Sequence, residues 1–334
     1  MKKALALILA AAMACTMLLT GCGGGTGDAS GSAAGAASGP KQNLVLATGG
    51  TTGTYYAVGG VMATVLNDKL TNSSLTVTST GASKANIQLI QDGEAQLGIV
   101  QNDVMDYAYN GTDLFEADGK VDSFSAVCGM YDETVQLITT NADIKSVDDL
   151  KGKTVCVGDA GSGTEFNARQ VLDVYGLSFD DIKVVNASFG DAADSLKDKK
   201  IDAAFIVAGA PTTAVVDLAT SSDVYVVNID DEHSDKLIAD HPFYTKTTIP
   251  AGTYNGLAED AQTVSVRATL IASNDLSEDV VYDLLKSMFD NKESLIGGHE
   301  KFNNLKLEDA VAGISVDFHP GAVKYLQENG IEVQ

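Results

Sequence analysis

The sequence contains few basic residues. Its 22 lysines and arginines stand against 45 aspartates and glutamates, which gives a formal net charge of −23 at pH 7. Nucleic acids and anionic lipid surfaces attract positively charged proteins, so this balance argues against both as binding partners. The charge of a small ligand stays open, because the local field in a site can oppose the field of the whole molecule.

The motifs of common enzyme classes are also missing. The four histidines are scattered and make no zinc-binding spacing with a cysteine: they are His233, His241, His299 and His319. No Gly-x-Ser-x-Gly turn occurs, and no glycine-rich segment continues as the Gly-Lys-Ser/Thr of a phosphate loop. The sequence therefore predicts no catalytic residue, no metal site and no cofactor.

A long apolar run stands at the N-terminus. Two lysines precede residues 4–19, which are too few to span a membrane well, and the run ends in LTGC at 19–22. This ending resembles the bacterial lipobox and predicts a signal peptide over residues 1–21 with lipid attachment at Cys22. The protein is then extracytoplasmic and touches the membrane through its lipid anchor only. The alternative is an ordinary secreted protein with an unlipidated cysteine.

The segment after the signal is nearly all glycine, alanine, serine and threonine. Such a composition cannot bury a core, so residues 22–42 are expected to be the lipidated cysteine and a disordered tether. The remaining chain, about 290 residues, is long enough for two domains and does not need a disulfide. Cys128 and Cys156 lie in apolar strand-like runs, which favours buried free thiols, although a pair between them stays open.

A short segment occurs twice in the chain. Residues 52–56 (TGTYY) and, 110 residues later, 162–166 (SGTEF) each follow a strand-like run and open a helix-like run. A second similarity lies downstream of each, at 96–100 (QLGIV) and 202–206 (DAAFI). The repetition predicts two similar α/β lobes that aim helix N-termini at a shared cleft. Such a cleft suits an anionic or zwitterionic small molecule.

The order β-α-β-α-β can be traced in both halves of the folded part and implies parallel strands. Alternation over residues 263–272 predicts a long strand that crosses between the lobes. A C-terminal helix over 320–329 is expected to pack back on the first lobe. The first lobe then comprises residues 43–128 and 245–334, and the second comprises 129–244.

The two glycine-rich turns supply the first candidate ligand-binding residues. Their backbone N–H groups stand at helix starts, where no preceding helical turn supplies a carbonyl to accept a hydrogen bond from them. The second turn also has a structural interpretation, because Ser162 and Glu165 match a capping box in which the serine hydroxyl serves its own helix. Capping uses the side chain and leaves N–H groups free for a carboxylate. Of the consecutive Tyr55 and Tyr56, at most one is expected to face the cleft.

Further candidates lie outside the turns. Residues 101–103 (QND) follow a strand end, where specificity groups are common, although the same residues suit a helix N-cap. Tyr131 lies near the expected lobe crossover, with ordinary packing as the alternative. Arg169 is expected to be solvated or paired within its helix. Arg267, on the polar face of the alternating strand, could reach a carboxylate with both guanidinium nitrogens.

The order of these motifs resembles that of one family. They are TGGTTGTYY at 48–56, QND at 101–103, GSGTE at 161–165 and HPGA at 319–322. The likeness, over roughly residues 43–330, is to the TAXI family, the solute receptors of TRAP transporters. It implies an α/β architecture of the type II periplasmic-binding-protein fold, with two lobes around a hinge and an interlobe cleft. It also implies capture of a glutamate- or glutamine-like amino acid or another organic acid, and delivery of it to a TRAP membrane permease.

The resemblance also implies a set of ligand-binding residues. They come from both lobes and are Thr52, Gly53, Thr54 and Tyr56 in the first, and Gly161, Ser162, Gly163 and Thr164 in the second. Gln101 and Asp103 are expected to read an amino group or an amide, and Tyr131 and Arg267 complete the candidates. The arginine that another branch of TRAP receptors places on the substrate carboxylate has no counterpart here. The receptor is expected to act as a monomer.

Two alternatives to a TRAP receptor stay open. A receptor of the same fold can serve an ABC importer or a membrane sensor kinase, which genes beside this one would distinguish. A surface hydrolase or transferase can also reuse the fold, although the missing acid–base groups argue against catalysis.

Overall fold

The computed structural model describes residues 41–333. Within them the strands are β1 (Gln42–Ala47), β2 (Ser73–Thr78), β3 (Leu97–Gln101), β4 (Phe124–Thr139), β5 (Thr154–Cys156), β6 (Lys183–Val185), β7 (Ala203–Ala208), β8 (Tyr225–Val227), β9 (Thr245–Ile249) and β10 (Ala261–Ser273). The helices are α1 (Thr54–Leu66), α2 (Ser83–Gln91), α3 (Asn102–Asn110), α4 (Gly163–Val174), α5 (Phe189–Lys197), α6 (Thr213–Ala219), α7 (Asp231–Asp240), α8 (Glu278–Asp290), α9 (Lys292–Gly298) and α10 (Pro320–Glu328). The predicted signal peptide and Cys22 lie outside the described residues, and β1 begins at the last residue of the predicted tether.

The strands form one mixed sheet in the order β2-β1-β3-β10-β4-β7-β5-β6, with β8 beside β4 and β9 beside β10. β1 pairs in parallel with β2 and β3, and β5 pairs in parallel with β6 and β7, as the two repeats predicted. β10 returns antiparallel between β3 and β4. The order β2-β1-β3 followed by a strand from late in the chain is typical of the type II periplasmic-binding-protein fold. The expected fold class is therefore confirmed.

The two parallel groups of strands are the cores of two lobes. The first lobe contains β1–β3 with α1–α3 and α8–α10, and the second contains β5–β8 with α4–α7. Leu44, Met62 and Tyr325 share one buried cluster, so the C-terminal helix packs on the first lobe, as predicted. Val155 and Val171 belong to a separate cluster of the second lobe.

Two long strands, β4 and β10, run through both lobes. The sequence predicted β10 from its alternation, and the strand extends one or two residues beyond each predicted end. It did not predict β4, because this strand is buried at every residue except Asp132 and so shows no alternation of apolar and polar side chains. The two strands pair antiparallel from Ser265–Thr134 to Ser273–Phe124.

The segment after residue 244 packs differently from the prediction. β9 pairs with residues 261–265 at the start of β10. Ile249 and Tyr254 share a buried cluster with Val215 of α6. These contacts group the segment with the second lobe, because it pairs with β10 before that strand crosses into the first lobe. The predicted boundary at 128/129 falls inside β4.

The cysteines of the folded part are buried free thiols, as predicted. Cys128 belongs to a first-lobe cluster and Cys156 to a second-lobe cluster. Between residues 41 and 333, no helix has the length and apolar character needed to cross a membrane.

Candidate ligand-binding site

A pocket lies between the two lobes, where strands of both lobes end. The first lobe contributes Gly49, Gly50, Gly53, Thr54, Tyr55, Ala82, Ser83 and Gln101. The second contributes Asp159, Ser162, Gly163, Thr164, Phe189, Val207 and Ala208, and Glu133 of β4 completes the wall. The empty space is about 510 Å³ with the open mouth included. The pocket is narrow and suits a small molecule.

The first glycine-rich turn presents the N-terminus of α1 to this pocket. Gly53 is the N-cap, so no side chain caps the helix. Its N–H donates to the Gly50 carbonyl at 2.9 Å, which closes the turn. Among residues 41–333, the N–H groups of Thr54 and Tyr55 donate to no acceptor. Free donors and the positive end of a helix dipole therefore stand at the pocket wall.

The second turn presents the N-terminus of α4 in a similar way. The Ser162 hydroxyl accepts from the Glu165 N–H at 3.2 Å, so Ser162 caps its own helix. The Glu165 carboxylate reaches back to the N–H of Gly161 at 2.6 Å, one residue before the donor that a full capping box would use. Within the described chain the N–H groups of Gly163 and Thr164 donate to no acceptor. The capping interpretation of Ser162 is confirmed, and it leaves these donors open.

Glu133 is an acidic residue of the pocket wall that sequence reasoning missed. It lies in the middle of β4, is 1% exposed, and accepts at Oε2 from the Gln101 side-chain amide at 3.2 Å. Burial is the main cause that raises the pKa of Glu133 to about 8. The Tyr55 hydroxyl and the Gln101 amide counteract this rise in pKa, and the Asp103 carboxylate adds to it.

Three polar atoms of the pocket wall are buried without a hydrogen-bond partner among the described residues. They are Gln101 Oε1, Glu133 Oε1 and the Tyr55 hydroxyl. Buried polar atoms in proteins are nearly always hydrogen-bonded. Because these three residues line one pocket, their free atoms indicate the place of a ligand's polar groups.

The lobes touch each other around the pocket. The Gln101 side chain of the first lobe lies against Gly163 of the second, so closely that a Cβ at Gly163 would overlap it. The Thr54 hydroxyl donates across the cleft to the Gly209 carbonyl at 3.3 Å. The structure therefore shows the lobes in a closed arrangement.

Asp103 belongs to an interlobe network and does not line the pocket. Its carboxylate accepts from the Asn167 side chain at 2.9 Å, and Asn167 also donates to the Tyr244 hydroxyl at 2.6 Å. Tyr244 donates to Gln170 Oε1 at 2.6 Å, and the Gln170 amide donates to the Tyr107 hydroxyl at 3.0 Å. Burial raises the pKa of Asp103 to about 6, against hydrogen bonds that lower it. The carboxylate thus joins α3 to α4.

Three more predicted residues flank the pocket without lining it. Thr52 packs across the cleft against Gly190 of α5. Tyr56 is half-buried outside the wall, and Tyr55 is the tyrosine that lines the pocket. The N–H of Gly161 is already taken by the capping carboxylate described above.

Tyr131 and Arg267 also lie outside the pocket wall. Tyr131 is buried in the first-lobe core. Arg267 pairs with Asp132 at 3.1 Å and donates to the Asp309 carbonyl at 3.0 Å, so its guanidinium is engaged elsewhere. The side chain of Arg169 is 52% exposed on α4, in agreement with its predicted solvated role.

The pocket wall carries two acids, Glu133 and Asp159, and no lysine, arginine or histidine. Among residues 41–333, no group of histidine, cysteine, aspartate and glutamate side chains could hold a metal ion. The donors are backbone N–H groups at two helix starts, and the acceptors are side-chain oxygens around Glu133. This arrangement can hold a small molecule that carries both acceptors and donors.

Several wall residues were not among the sequence candidates. Glu133 offered a signal, because it is an acid within an apolar run, but the crossing strand that contains it was not recognised. Ser83, Asp159 and Phe189 offered none, since each lies in a different loop or helix start and reaches the pocket only through the tertiary fold.

The strand order and the interlobe pocket define a two-lobed protein of the type II periplasmic-binding fold. The chain belongs to the NMT1-like family, whose model matches residues 46–330.

Solved structures with a similar fold are distant in sequence. A protein from Bordetella bronchiseptica RB50 is 16% identical with a TM-score of 0.52, over 86% of this chain and 89% of that one. The periplasmic aliphatic sulphonate binding protein SsuA from Escherichia coli is 16% identical with a TM-score of 0.46, over 86% and 83%. The GluR0 ligand-binding core from Nostoc punctiforme, in complex with L-glutamate, is 18% identical with a TM-score of 0.44, over 78% and 99%. At these identities the likeness concerns the fold alone.

Proposed function

We propose that the protein is a non-enzymatic solute receptor that closes its lobes on a small carboxylate-bearing molecule. The observation that carries this proposal is the pair of open helix N-termini, at Thr54 and Gly163, that meet at one pocket. Each contributes free N–H groups and roughly half a positive charge from its helix dipole. A carboxylate satisfies such donors without any basic side chain, and the pocket wall has none.

Binding by closure follows from the position of the pocket. Its wall is shared between two lobes that contact each other around it, so a bound solute contributes contacts that an open form lacks. A ligand stabilises the form to which it binds more tightly. The solute therefore favours the closed form, which is the form that a membrane partner can distinguish from the empty receptor.

The finer assignment rests on the TAXI resemblance and the lipobox-like segment. We place the receptor outside the cytoplasm, anchored by a lipid at Cys22, with a glutamate- or glutamine-like amino acid or another organic acid as solute and a TRAP permease as partner. An ABC importer or a sensor kinase is the alternative partner. Genes beside this one distinguish them, since a fused TRAP permease supports the first and an ATPase supports the second.

A thermal-shift panel tests the receptor function. The purified protein is heated with each of the common L-amino acids and with mono- and dicarboxylates, and we expect at least one to raise the melting temperature. A ligand at 100 times its Kd stabilises the folded state by about 2.7 kcal/mol, which a melting curve resolves. No stabilisation by any acid, together with no small molecule in native mass spectra of the protein as isolated, would contradict the proposal.

Membrane fractionation tests the anchor. Cells that express the natural chain should hold it in the membrane fraction. In cells that express a Cys22→Ser variant, that fraction should contain no lipidated form of the protein. Equal lipid labelling of both proteins would contradict the assignment of Cys22.

A further inference from the structure

A lysine of the first lobe reaches the second lobe beside the pocket. Lys301 lies in a short 3₁₀ helix, Glu300–Asn304, whose Phe302 is buried in the first-lobe core. The Lys301 ammonium donates to the carbonyl of Ala210, which follows the end of β7 in the second lobe. Lys301 is not part of the pocket wall, whereas Ala208, two residues before its acceptor, is.

We propose that Lys301 is a positioning residue for closure, whose ammonium holds the first lobe on Gly209 and Ala210 of the second and so slows the release of the solute. This assignment rests on the proposed receptor function and adds to it a residue outside the pocket wall. Opening the cleft moves the two walls of the pocket apart, and Ala210 lies just beyond one of them. The contact therefore belongs to the closed form and stabilises it relative to the open form.

Gly209 leaves room for the lysine. A Cβ at Gly209 would lie 2.7 Å from Lys301 Cε, 3.1 Å from Lys301 Cδ and 3.1 Å from Thr54 Cγ2. These three nearest atoms all belong to the first lobe. The φ angle of Gly209 lies outside the left-handed region, so its own backbone conformation does not demand glycine. The missing side chain at this position is thus a feature of the contact between the lobes.

A buried polar network fixes the acceptors of the second lobe. The Thr212 hydroxyl donates to the Gly209 carbonyl at 2.9 Å and accepts from the Gln136 side-chain amide at 2.9 Å. The Tyr254 hydroxyl accepts from the Thr212 N–H at 2.9 Å and donates to Gln136 Oε1. These three network residues are each at most 3% exposed. The segment is therefore ordered within its own lobe, and closure costs little conformational entropy on this side.

Two further hydrogen bonds join the lobes at the same segment. The Thr54 hydroxyl donates to the Gly209 carbonyl at 3.3 Å, and the Ala214 N–H donates to the Thr52 carbonyl at 3.3 Å. Both use the first glycine-rich turn, which presents α1 to the pocket. Lys301 comes from a different part of the first lobe, so the segment of the second lobe is held at two separate points of the first.

The surroundings of Lys301 direct its ammonium to the other lobe. The residue is half-buried, and burial lowers the pKa of Lys301, which the charges of Glu300 and Asp132 counteract only in part. Among the described residues, the Ala210 carbonyl is the only acceptor that the ammonium reaches. A charged donor makes a stronger hydrogen bond than a neutral one, and this one is made across the cleft.

Stopped-flow release kinetics test the assignment. The probe is the acid of the thermal-shift panel that raises the melting temperature most. Lys301→Met removes the ammonium and keeps an apolar side chain of similar length. We expect the acid to leave this variant about tenfold faster than it leaves the unaltered protein. The association rate should stay the same, because the solute enters the open form, in which the contact is absent.

Lys306→Met is the matched control for the loss of one positive charge. The Lys306 side chain is 49% exposed, and its partner is Asp309 of the same lobe at 4.0 Å. We expect it to release the acid at the unaltered rate. An unchanged release rate in Lys301→Met, or an equal change in the control, overturns the inference and leaves the receptor function standing. If no acid of the panel binds the unaltered protein, the receptor function and this inference both fail.

A double-mutant cycle separates a contact between the lobes from a structural role within the first lobe. Gly209→Ala places a methyl group against Lys301 and should weaken binding of the same acid about tenfold, measured by calorimetry. In a Lys301→Ala background most of that overlap is gone, so Gly209→Ala should weaken binding by about threefold or less. Equal effects of Gly209→Ala in both backgrounds overturn the assignment of Lys301, because a residue that acts only within its own lobe gives additive changes.

Discussion

Gly163 is the first residue of α4, and the Gln101 side chain from the other lobe lies directly against it. A methyl group at Gly163 would overlap Gln101, so Gly163→Ala forces the lobes or the amide to move. The helix itself would tolerate alanine at this position. We expect Gly163→Ala to weaken solute binding at least about tenfold, measured by calorimetry, with little change in helix content.

Gly60→Ala is the matched control for that change. Gly60 lies inside α1, and a Cβ there would meet nothing within 4 Å. Alanine in a helix interior should stabilise the protein by roughly 0.5–1 kcal/mol and leave binding unaltered. If Gly163→Ala bound the solute as tightly as Gly60→Ala, the close approach of Gln101 would not matter for closure.

Single residues of the site differ in how far the sequence could predict them. Gly53, Thr54 and Gly163 line the pocket and were found from the repeated turn, because a helix start after a strand is a local pattern. Glu133 could not be placed in the same way. Its role depends on a strand that crosses both lobes, and that strand has no periodicity to reveal which side chains meet the cleft.

The contact between α3 and α4 is formed by buried polar side chains, and Asp103 contributes the carboxylate. Burial raises its pKa from 3.8 to about 6, so the folded state holds the proton more tightly than the unfolded chain does. Stability from this group is therefore greatest below pH 3.8 and falls as pH rises to about 6, above which the loss is constant. The size of the loss is about 3 kcal/mol, from 1.36 kcal/mol for each pKa unit.

Asp103→Asn removes this titration, and its free energy of unfolding should change less with pH. Urea denaturation measures the free energy of unfolding of both proteins. Between about pH 4 and pH 6 we expect this free energy to fall more in the unaltered protein than in the variant, and above pH 6 we expect the difference between them to stay constant. Asp173→Asn on the exposed face of α4 controls for the loss of one negative charge. If the difference in free energy of unfolding between Asp103→Asn and the unaltered protein changed with pH as little as it does for Asp173→Asn, Asp103 would not contribute to the pH dependence of stability.

At the scale of elements, local patterns predicted those elements whose signals lie close together in the sequence. The capping of α4 by Ser162 and the C-terminal helix α10 follow from caps and apolar spacing that lie within a few residues of each other. β4 and β9 were not predicted as they are found. β4 is buried on both faces and so shows no alternation. β9 is placed by its pairing with the start of β10, and not by a pattern within its own residues.

At the scale of the molecule, two lobes share one sheet through β4 and β10 and enclose a pocket between them. The repeat of turn and strand predicted the two lobes and the cleft, because each copy is a complete β-α-β unit. It did not predict which residues of one lobe touch the other. Those contacts depend on the closed arrangement, in which the first turn meets α5 and Gln101 meets α4.

A disulfide between the lobes can test this closed arrangement directly. A Cβ at Gly190 of α5 would lie 3.9 Å from the Cβ of Thr52 in the first turn. Natural disulfides have Cβ–Cβ distances of about 3.5–4.5 Å, so a Thr52→Cys/Gly190→Cys double variant should cross-link when the lobes are closed and not when they are open. Cys128 and Cys156 are buried and should not compete for oxidation.

We expect the double variant, with Cys22 also replaced by serine, to oxidise within the molecule, seen as faster migration in non-reducing electrophoresis. The oxidised form should keep a solute bound before oxidation through dialysis and release it after reduction, because the cleft opens only when the bond is broken. In small-angle scattering without solute, it should be more compact than the reduced form. The single variants Thr52→Cys and Gly190→Cys control for each substitution alone. If the pair forms no bond even with solute present, the first turn and α5 do not meet in solution, and binding by closure around this pocket is contradicted.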